Sequence, residues 1–437
     1  MERVILVGLA RSPKERWQKI DSLAELEALT KTAGGEVVGK FIQIREKPSP
    51  RTFLGKGKIE ELRHLSQRYG CDLLIFDDVL SPSQMRNISQ ATGVGVIDRR
   101  ALILDIFALH ARTAEAALQV ELAQLEYRLT MLTGKGIALS RLGGGIGTRG
   151  PGEKKLEEDR RRIKERISTL KSFLKEIDKE RKVQRKGRGE LFRISLAGYT
   201  NAGKSTLLNK LTNAGVKVAP ELFSTLDPKT KPLEIEKNIK VLITDTIGFI
   251  KDLPPQLIAS FKATLDEIKE SDLILHIIDA TNNDYSEKIQ VVEKTLKEIG
   301  AISEYQEMPK IVRVFNKIDI AFEKHIIQRA RRDFPEGIFI SARTGEGLDD
   351  LLKEIKRCMR PFIATRTFTI PIAWGDILAK IYKFGNVLSL REATGRYHLR
   401  VRGYVNFLDR LRKEIRYDKN WDWRKYRFGQ DNRCQNF

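Results

Sequence analysis

From residue 1 to about 105, short apolar runs alternate with amphipathic segments. Residues 3–9, 36–44 and 72–78 (DLLIFDD) have the pattern of strands. Residues 22–32, 58–69 and 81–91 have the pattern of helices, and Ser81-Pro82 supplies an N-cap and a first-turn proline for the last of them. The spacing predicts a small α/β domain over 1–112. Gly55-Lys56-Gly57-Lys58 reads as a basic entrance to the helix that follows, in preference to a phosphate loop.

The period then changes. Leu118, Leu122, Leu125, Leu129 and Leu132 step by four and three, a heptad seam. A second seam runs through Leu156, Ile163, Ile167, Leu170, Leu174 and Ile177, with Arg160 interrupting it. Between them lies a glycine-rich stretch at 133–152 that carries Lys135, Arg141 and Arg149. Two seams joined by one such stretch predict an antiparallel helical hairpin over 113–187 with a basic tip. Glycine lets a backbone approach closely and arginine binds phosphate, so the tip is read as functional, an idle loop being the alternative. A basic run at 181–188 marks the boundary.

Residues 191–197 (LFRISLA) form a buried-strand pattern, followed by Gly198-Tyr199-Thr200-Asn201-Ala202-Gly203-Lys204-Ser205 and an amphipathic helix from Thr206 to Thr212. This is GxxxxGKS between a strand and a helix, the setting in which its amides cradle phosphates at a helix N-terminus. Lys204 would reach the β- and γ-phosphates, and the Ser205 hydroxyl would ligate Mg²⁺. Gly198, Asn201, Ala202, Gly203 and Thr206 complete the expected cradle.

Further elements follow in order. The strand at 241–244 leads to Asp245-Thr246-Ile247-Gly248, where Asp245 can hold Mg²⁺ through water and the Gly248 amide can meet the γ-phosphate. Upstream, 223–228 (FSTLDP) offers Thr225 as the switch threonine that closes on Mg²⁺ and γ-phosphate. A strand at 311–315 ends in Asn316-Lys317-Ile318-Asp319. The Asp319 carboxylate can accept two hydrogen bonds from guanine, which adenine cannot supply, so the site selects GTP and GDP. A strand at 338–340 leads to Ser341-Ala342-Arg343, whose backbone can meet guanine O6. Lys204, Thr225 and Gly248 are the expected catalytic groups, and Ser205, Thr225 and Asp245 the expected metal ligands. Phe249 stands where a glutamine would orient the attacking water, which predicts slow intrinsic hydrolysis completed from outside.

Beyond the GTPase domain at 188–362, residues 363–437 alternate strand and helix patterns: strands at 367–372, 386–391 and 397–404, and helices at 374–382 and from 406. A small C-terminal α/β domain fits. Trp421, Trp423, Tyr426 and Phe428 interleave with basic residues at the end, for RNA contact or for docking on the same domain.

Composition sharpens this reading. Lys and Arg number 79 against 58 Asp and Glu in 437 residues, a formal net charge of +21, which favours a polyanionic partner. Only 5 His and three scattered cysteines, Cys71, Cys358 and Cys434, argue against a zinc site or a disulfide framework and for a reducing cytoplasm. No apolar run approaches the ~20 residues of a membrane span, and the start lacks a secretory pattern.

Several strings together resemble the HflX GTPases over most of residues 1–365. They are Asp77-Asp78…Leu80-Ser81-Pro82, Asp105-Ile106-Phe107-Ala108, 119–125 (QVELAQL), 143–153 (GGGIGTRGPGE), Asp159-Arg160-Arg161, Thr225-Leu226-Asp227 and Gly248-Phe249-Ile250. Lys154-Lys155 stand where many relatives have a Thr-Gln pair, and 366–437 match least. The resemblance implies a monomeric protein that binds the large (50S) ribosomal subunit and its rRNA. It further implies that with GTP the protein splits or rescues stalled 70S ribosomes, with hydrolysis stimulated by the subunit and the hairpin directed to the peptidyl-transferase region. Two alternatives stand beside it: an RNA-binding protein with GTP as a structural ligand, and a GTPase of RNA modification or ribosome assembly.

Overall fold

Val4 and Leu6 face one helical layer and Ile5 and Val7 the other, which is why the first strand is apolar at nearly every position. In the computed structural model this strand, β1 (Arg3–Ala10), joins β2 (Glu36–Ile44), β3 (Leu73–Phe76) and β4 (Gly95–Asp98) in a parallel sheet of order β2-β1-β3-β4. Helices α1 (Arg16–Thr32) and α4 (Arg99–His110) cover one face, and α2 (Lys56–Tyr69) and α3 (Pro82–Thr92) the other. Gly55 is the N-cap of α2, and Ser81 forms a capping box with Gln84 at the start of α3. The helix expected at 22–32 begins earlier, at Arg16, while β4 and α4 have no counterpart in the sequence reading. The structure describes all residues except 134–150, 187–190, 213–221, 224–227, 255, 258–261, 303–308, 321–323 and 418–437, and, at 133, 151–156, 181–186, 262–264, 324 and 416–417, the backbone only.

Helices α5 (Ala114–Thr133) and α6 (Pro151–Lys186) form the hairpin. Leu122, Ile167 and Leu170 are buried at its seam, flanked by Leu118, Leu125, Leu129, Ile163 and Leu174. The pairing is antiparallel: 128–132 lies beside 159–163, and Glu121 pairs with Arg166 at 2.7 Å. Ala116, Val120 and Ala123 on another side of α5 enter the N-terminal core, and Tyr127 Oη donates to Asp98 at 3.0 Å. The hairpin is therefore rooted on the first sheet. The glycine-rich tip lies outside the described residues.

Six strands make the central sheet: β5 (Arg193–Gly198), β6 (Lys229–Glu236), β7 (Ile239–Asp245), β8 (Leu273–Asp279), β9 (Lys310–Asn316) and β10 (Ile338–Phe339). Their order is β10-β9-β8-β5-β7-β6, all parallel except β6 against β7. After β5 the chain turns to one side and later to the other, so the C-terminal end of β5 is a topological switch point, where ligands of such sheets bind. Among the described residues its helices are α7 (Lys204–Thr212), α8 (Lys262–Lys269), α9 (Tyr285–Glu298), α10 (Lys324–Asp333) and α11 (Leu348–Met359).

Last comes an antiparallel sheet of β11 (Ile363–Pro371), β12 (Asn386–Ala393) and β13 (Arg396–Tyr404), order β11-β13-β12, with α12 (Gly375–Phe384) and α13 (Val405–Tyr417). Tyr404 Oη donates to the Lys240 carbonyl at 2.7 Å, and Arg402 pairs with Glu236 at 2.9 Å, fixing this sheet to β6 and β7. The terminal aromatic and basic cluster is outside the described residues. Among the described residues no helix is long and apolar enough to cross a membrane.

Candidate active site

The loop 198–205 leaves β5 at the switch point and ends in α7. Gly203 has φ +93°, and a Cβ there would sit 2.2 Å from Asn316 Nδ2, so no other residue fits. Lys204 opens the helix. Its ammonium donates to the carbonyls of Gly198 at 3.0 Å and Tyr199 at 2.9 Å, both in the same loop. Burial depresses the Lys204 pKa to about 8, against the pull of the nearby Asp245 carboxylate. A buried cation so poised favours an incoming anion.

Ser205 Oγ donates to Asp245 Oδ2 at 2.5 Å. The register pairs Leu196 with Asp245, which brings the end of β7 beside the loop. Asp245 is fully buried. A hydroxyl and a carboxylate oxygen meeting in this way form the hard-oxygen donor set that suits Mg²⁺. Thr206 is half-buried in the first turn of α7, and Asn201 is exposed. Thr225 lies outside the described residues.

Gly248 passes close to the loop: a Cβ there would lie 2.9 Å from Thr200 Cγ2 and 3.2 Å from Lys204 Nζ. The next residue ties the two strands of chain together. The Phe249 amide donates to the Gly198 carbonyl at 3.0 Å, and the Thr200 amide donates to the Phe249 carbonyl at 2.8 Å. The Phe249 ring is 2% exposed, packed with Ala197, Leu265, Ile268, Ile274 and Val292. It points into the core.

Asn316 joins the 198–205 loop to the segment after β10. Its Nδ2 donates to the Ala202 carbonyl at 2.8 Å, and its Oδ1 accepts from the Ala342 amide at 2.9 Å. Lys317 has φ +70° and donates to Asp279 Oδ2 at 2.7 Å. Asp319 accepts from the Ser341 hydroxyl at 2.7 Å and from Arg343 at 2.6 Å. Burial alone would raise its pKa, but the Ser341 hydrogen bond and the Arg343 guanidinium hold it below the usual carboxylate range. The described sequence-predicted residues thus gather at the C-terminal ends of β5, β7 and β9 and after β10.

Other contacts at the site had no local signal. Tyr199 Oη donates to Glu25 of α1 at 2.5 Å and accepts from the Lys251 amide at 2.9 Å. Glu25 pairs with Arg99, which also bonds Asp77 at 2.7 Å. The ring of Phe223 lies 4.6 Å from that of Phe107 on α4. Ile247 and Ile250, beside Gly248, enter the N-terminal core as well. Asp279, at the end of a strand the sequence reading passed over, could have been found from that strand's apolar run.

A glycine-rich loop at the switch point of a parallel sheet, followed on neighbouring strands by DTIG, NKID and SAR segments, defines a P-loop GTPase. Residues 193–317 match the family described as "50S ribosome-binding GTPase", 20–108 that described as "GTP-binding GTPase N-terminal", and 110–188 that described as "GTP-binding GTPase Middle Region". A GTPase HflX of Caldanaerobacter subterraneus subsp. tengcongensis is 43% identical over 92% of this chain and 94% of its own length. A GTPase HflX of Lacrimispora saccharolytica is 47% identical over 82% of this chain and 83% of its own length. Among solved structures, a GTP-binding protein from Sulfolobus solfataricus in complex with GDP is 25% identical, with a TM-score of 0.40 over 83% of this chain and 99% of that one. The chain belongs to the HflX family of GTPases and is a GTP-binding, GTP-hydrolysing enzyme.

Proposed function

We propose that this GTPase acts on the ribosome in the cytoplasm, as a monomer. It binds the large (50S) subunit and its rRNA and, with GTP, dissociates or rescues stalled 70S particles, and the ribosome stimulates its hydrolysis. The burial of Phe249 carries this reading. A ring locked in the core leaves the site without a water-orienting side chain after Gly248, so an outside surface has to complete it. The net charge of +21 and the family description of residues 193–317 support an RNA-rich particle as that surface.

Within this reading, Gly198, Asn201, Ala202, Gly203, Lys204, Ser205 and Thr206 hold the phosphates, and Asn316, Lys317, Asp319, Ser341, Ala342 and Arg343 the base. Ser205, Asp245 and Thr225 are the residues that would hold Mg²⁺, which when bound neutralises phosphate charge. Lys204 balances charge on the β- and γ-phosphates, and Gly248 offers an amide to the γ-phosphate. The proposed division is 1–112, 113–187, 188–362 and 363–437.

The test is GTP hydrolysis by the purified chain, alone and with 50S subunits, with ATP as control. Stimulation confined to GTP supports the reading. Tight GTP binding with no stimulation by 50S subunits overturns it.

A further inference from the structure

Helices cover one face of the C-terminal sheet, and β6 and β7 cover only the end of the other, where Tyr404 and Arg402 meet Lys240 and Glu236. Phe368, Ile370, Leu399 and Val401 pack with Ile377 and Ile381 of α12 and with Phe407, Leu408 and Leu411 of α13. Arg366 points the same way and pairs with Asp409 of α13 at 2.8 Å. Cross-strand partners share a face, so the register assigns the opposite one. Thr369, His398 and Arg391 align across the three strands, then Thr367, Arg400 and Ser389, then Thr365, Arg402 and Asn386. Arg396 lies at the end of the same row of β13. Except for the half-buried Arg402 and Asn386, these residues are exposed.

No carboxylate stands on this face of the sheet. Arg402 is compensated by Glu236, at 2.9 Å, and His398 Nδ1 lies 3.1 Å from Thr369 Oγ1. Among the described residues no carboxylate pairs with Arg391, Arg396 or Arg400. Arg396, Arg400 and Arg402 follow one another along β13 on this face, with Arg391 of β12 opposite His398, so guanidinium groups gather here with Glu236 alone among the described residues to compensate them. An apolar centre, which a protein partner would need, is missing. Also missing are aromatic rings on which bases could stack. What remains is a flat array of guanidinium and hydroxyl donors, with alternate residues roughly 7 Å apart along each strand, the scale of successive phosphates in a nucleic-acid chain.

We propose that the open face of the C-terminal sheet docks on the backbone of duplex RNA. Arg391, Arg396 and Arg400 contact phosphates, while the hydroxyls of Thr365, Thr367, Thr369 and Ser389 bond phosphate or 2′-OH groups. Such a face reads shape and charge and is insensitive to base sequence. The choice of RNA over other polyanions rests on the ribosomal reading above.

The test uses the full chain and a fluorescent RNA hairpin of about 20 base pairs, titrated at several salt concentrations. The triple variant Arg391→Gln/Arg396→Gln/Arg400→Gln should bind at least tenfold more weakly at about 0.1 M salt, with a slope of log Kd on log salt lowered by about two to three. Its basal GTP hydrolysis should equal that of the parent, which also reports correct folding. A control, Lys294→Gln/Arg329→Gln/Arg332→Gln, removes the same charge from α9 and α10 and should retain RNA affinity. Unchanged RNA binding by the first variant, equal loss in the control, or displacement of the RNA by polyglutamate of equal charge would each overturn the proposal. If the parent chain fails to bind 50S subunits while the hairpin result holds, the ribosomal reading falls and this one stands.

Discussion

The hydroxyl of Tyr199, in the phosphate loop, donates to the carboxylate of Glu25, on the first helix of the N-terminal domain, at 2.5 Å. Burial, and then Glu25 itself, push the tyrosine hydroxyl well above its ordinary range, so it remains a donor. The same oxygen accepts from the Lys251 amide just past Phe249. One side chain of the phosphate loop thus bonds both the segment after Gly248 and a helix 174 residues away in sequence. A double-mutant cycle with Tyr199→Phe and Glu25→Gln, read by chemical denaturation, should give a coupling of about 1–2 kcal/mol. A coupling near zero would mean the two domains do not share this bond in solution.

Asn316 holds Ala202 and Ala342 with one amide. Asn316→Ala removes both bonds and leaves a buried carbonyl and a buried amide without that partner, at about 1–3 kcal/mol each. GDP release, followed with a fluorescent nucleotide, should quicken by at least tenfold. Release at the parent rate would show that the amide has no part in holding the two loops around nucleotide.

Phe249→Gln tests whether a glutamine by itself can supply what the Ras-like pattern has. The ring sits in a packed cluster, so the expected result is lost stability, about 2–4 kcal/mol from the vacated volume and the buried amide. Single-turnover hydrolysis should not accelerate. An acceleration of tenfold or more would show that the buried ring is what limits the basal rate.

Lys204 gives a pH signature. Its pKa in the nucleotide-free fold is about 8 against 10.5 for an ordinary lysine, and bound phosphate would raise it again. Between these values the unfolded chain holds more protons than the fold, so the stability of the empty protein should rise with pH. Nucleotide affinity should move the other way, falling as pH climbs above about 8, with proton uptake on binding. Calorimetry near pH 8.5 in buffers of different ionisation enthalpy measures that uptake; none would mean that Lys204 keeps its charge in the empty site.

Asp319 is held ionised by Ser341 and Arg343. Asp319→Asn replaces an acceptor by a donor, so affinity for GTP should fall by at least tenfold, about 1.4 kcal/mol or more. Affinity for xanthosine triphosphate, which carries a carbonyl where guanine has its amino group, should rise. An unchanged preference for GTP over ATP would undo the base-recognition argument.

Much of this protein follows from short-range pattern. The 198–205 loop could be read because its glycines answer local demands, and the Ser81 cap and the two leucine seams because their spacing matches helix geometry over a few turns. The three C-terminal strands were legible for the same reason, since alternation records a sheet with one wet face. Elements such as β8 and α4, apolar through much of their length, carried no such period to read.

The sequence alone made the GTPase motifs legible, because each motif keeps its residues within a few positions of one another. Tertiary structure alone decided their company. That Glu25 bonds Tyr199, that Phe107 meets Phe223, that Asn316 bridges two loops, and that three arginines share one open sheet face are consequences of register and packing between distant segments. Local periodicity cannot encode such pairings, since the energy that selects them comes from burial and charge shared between elements that meet only in the folded chain.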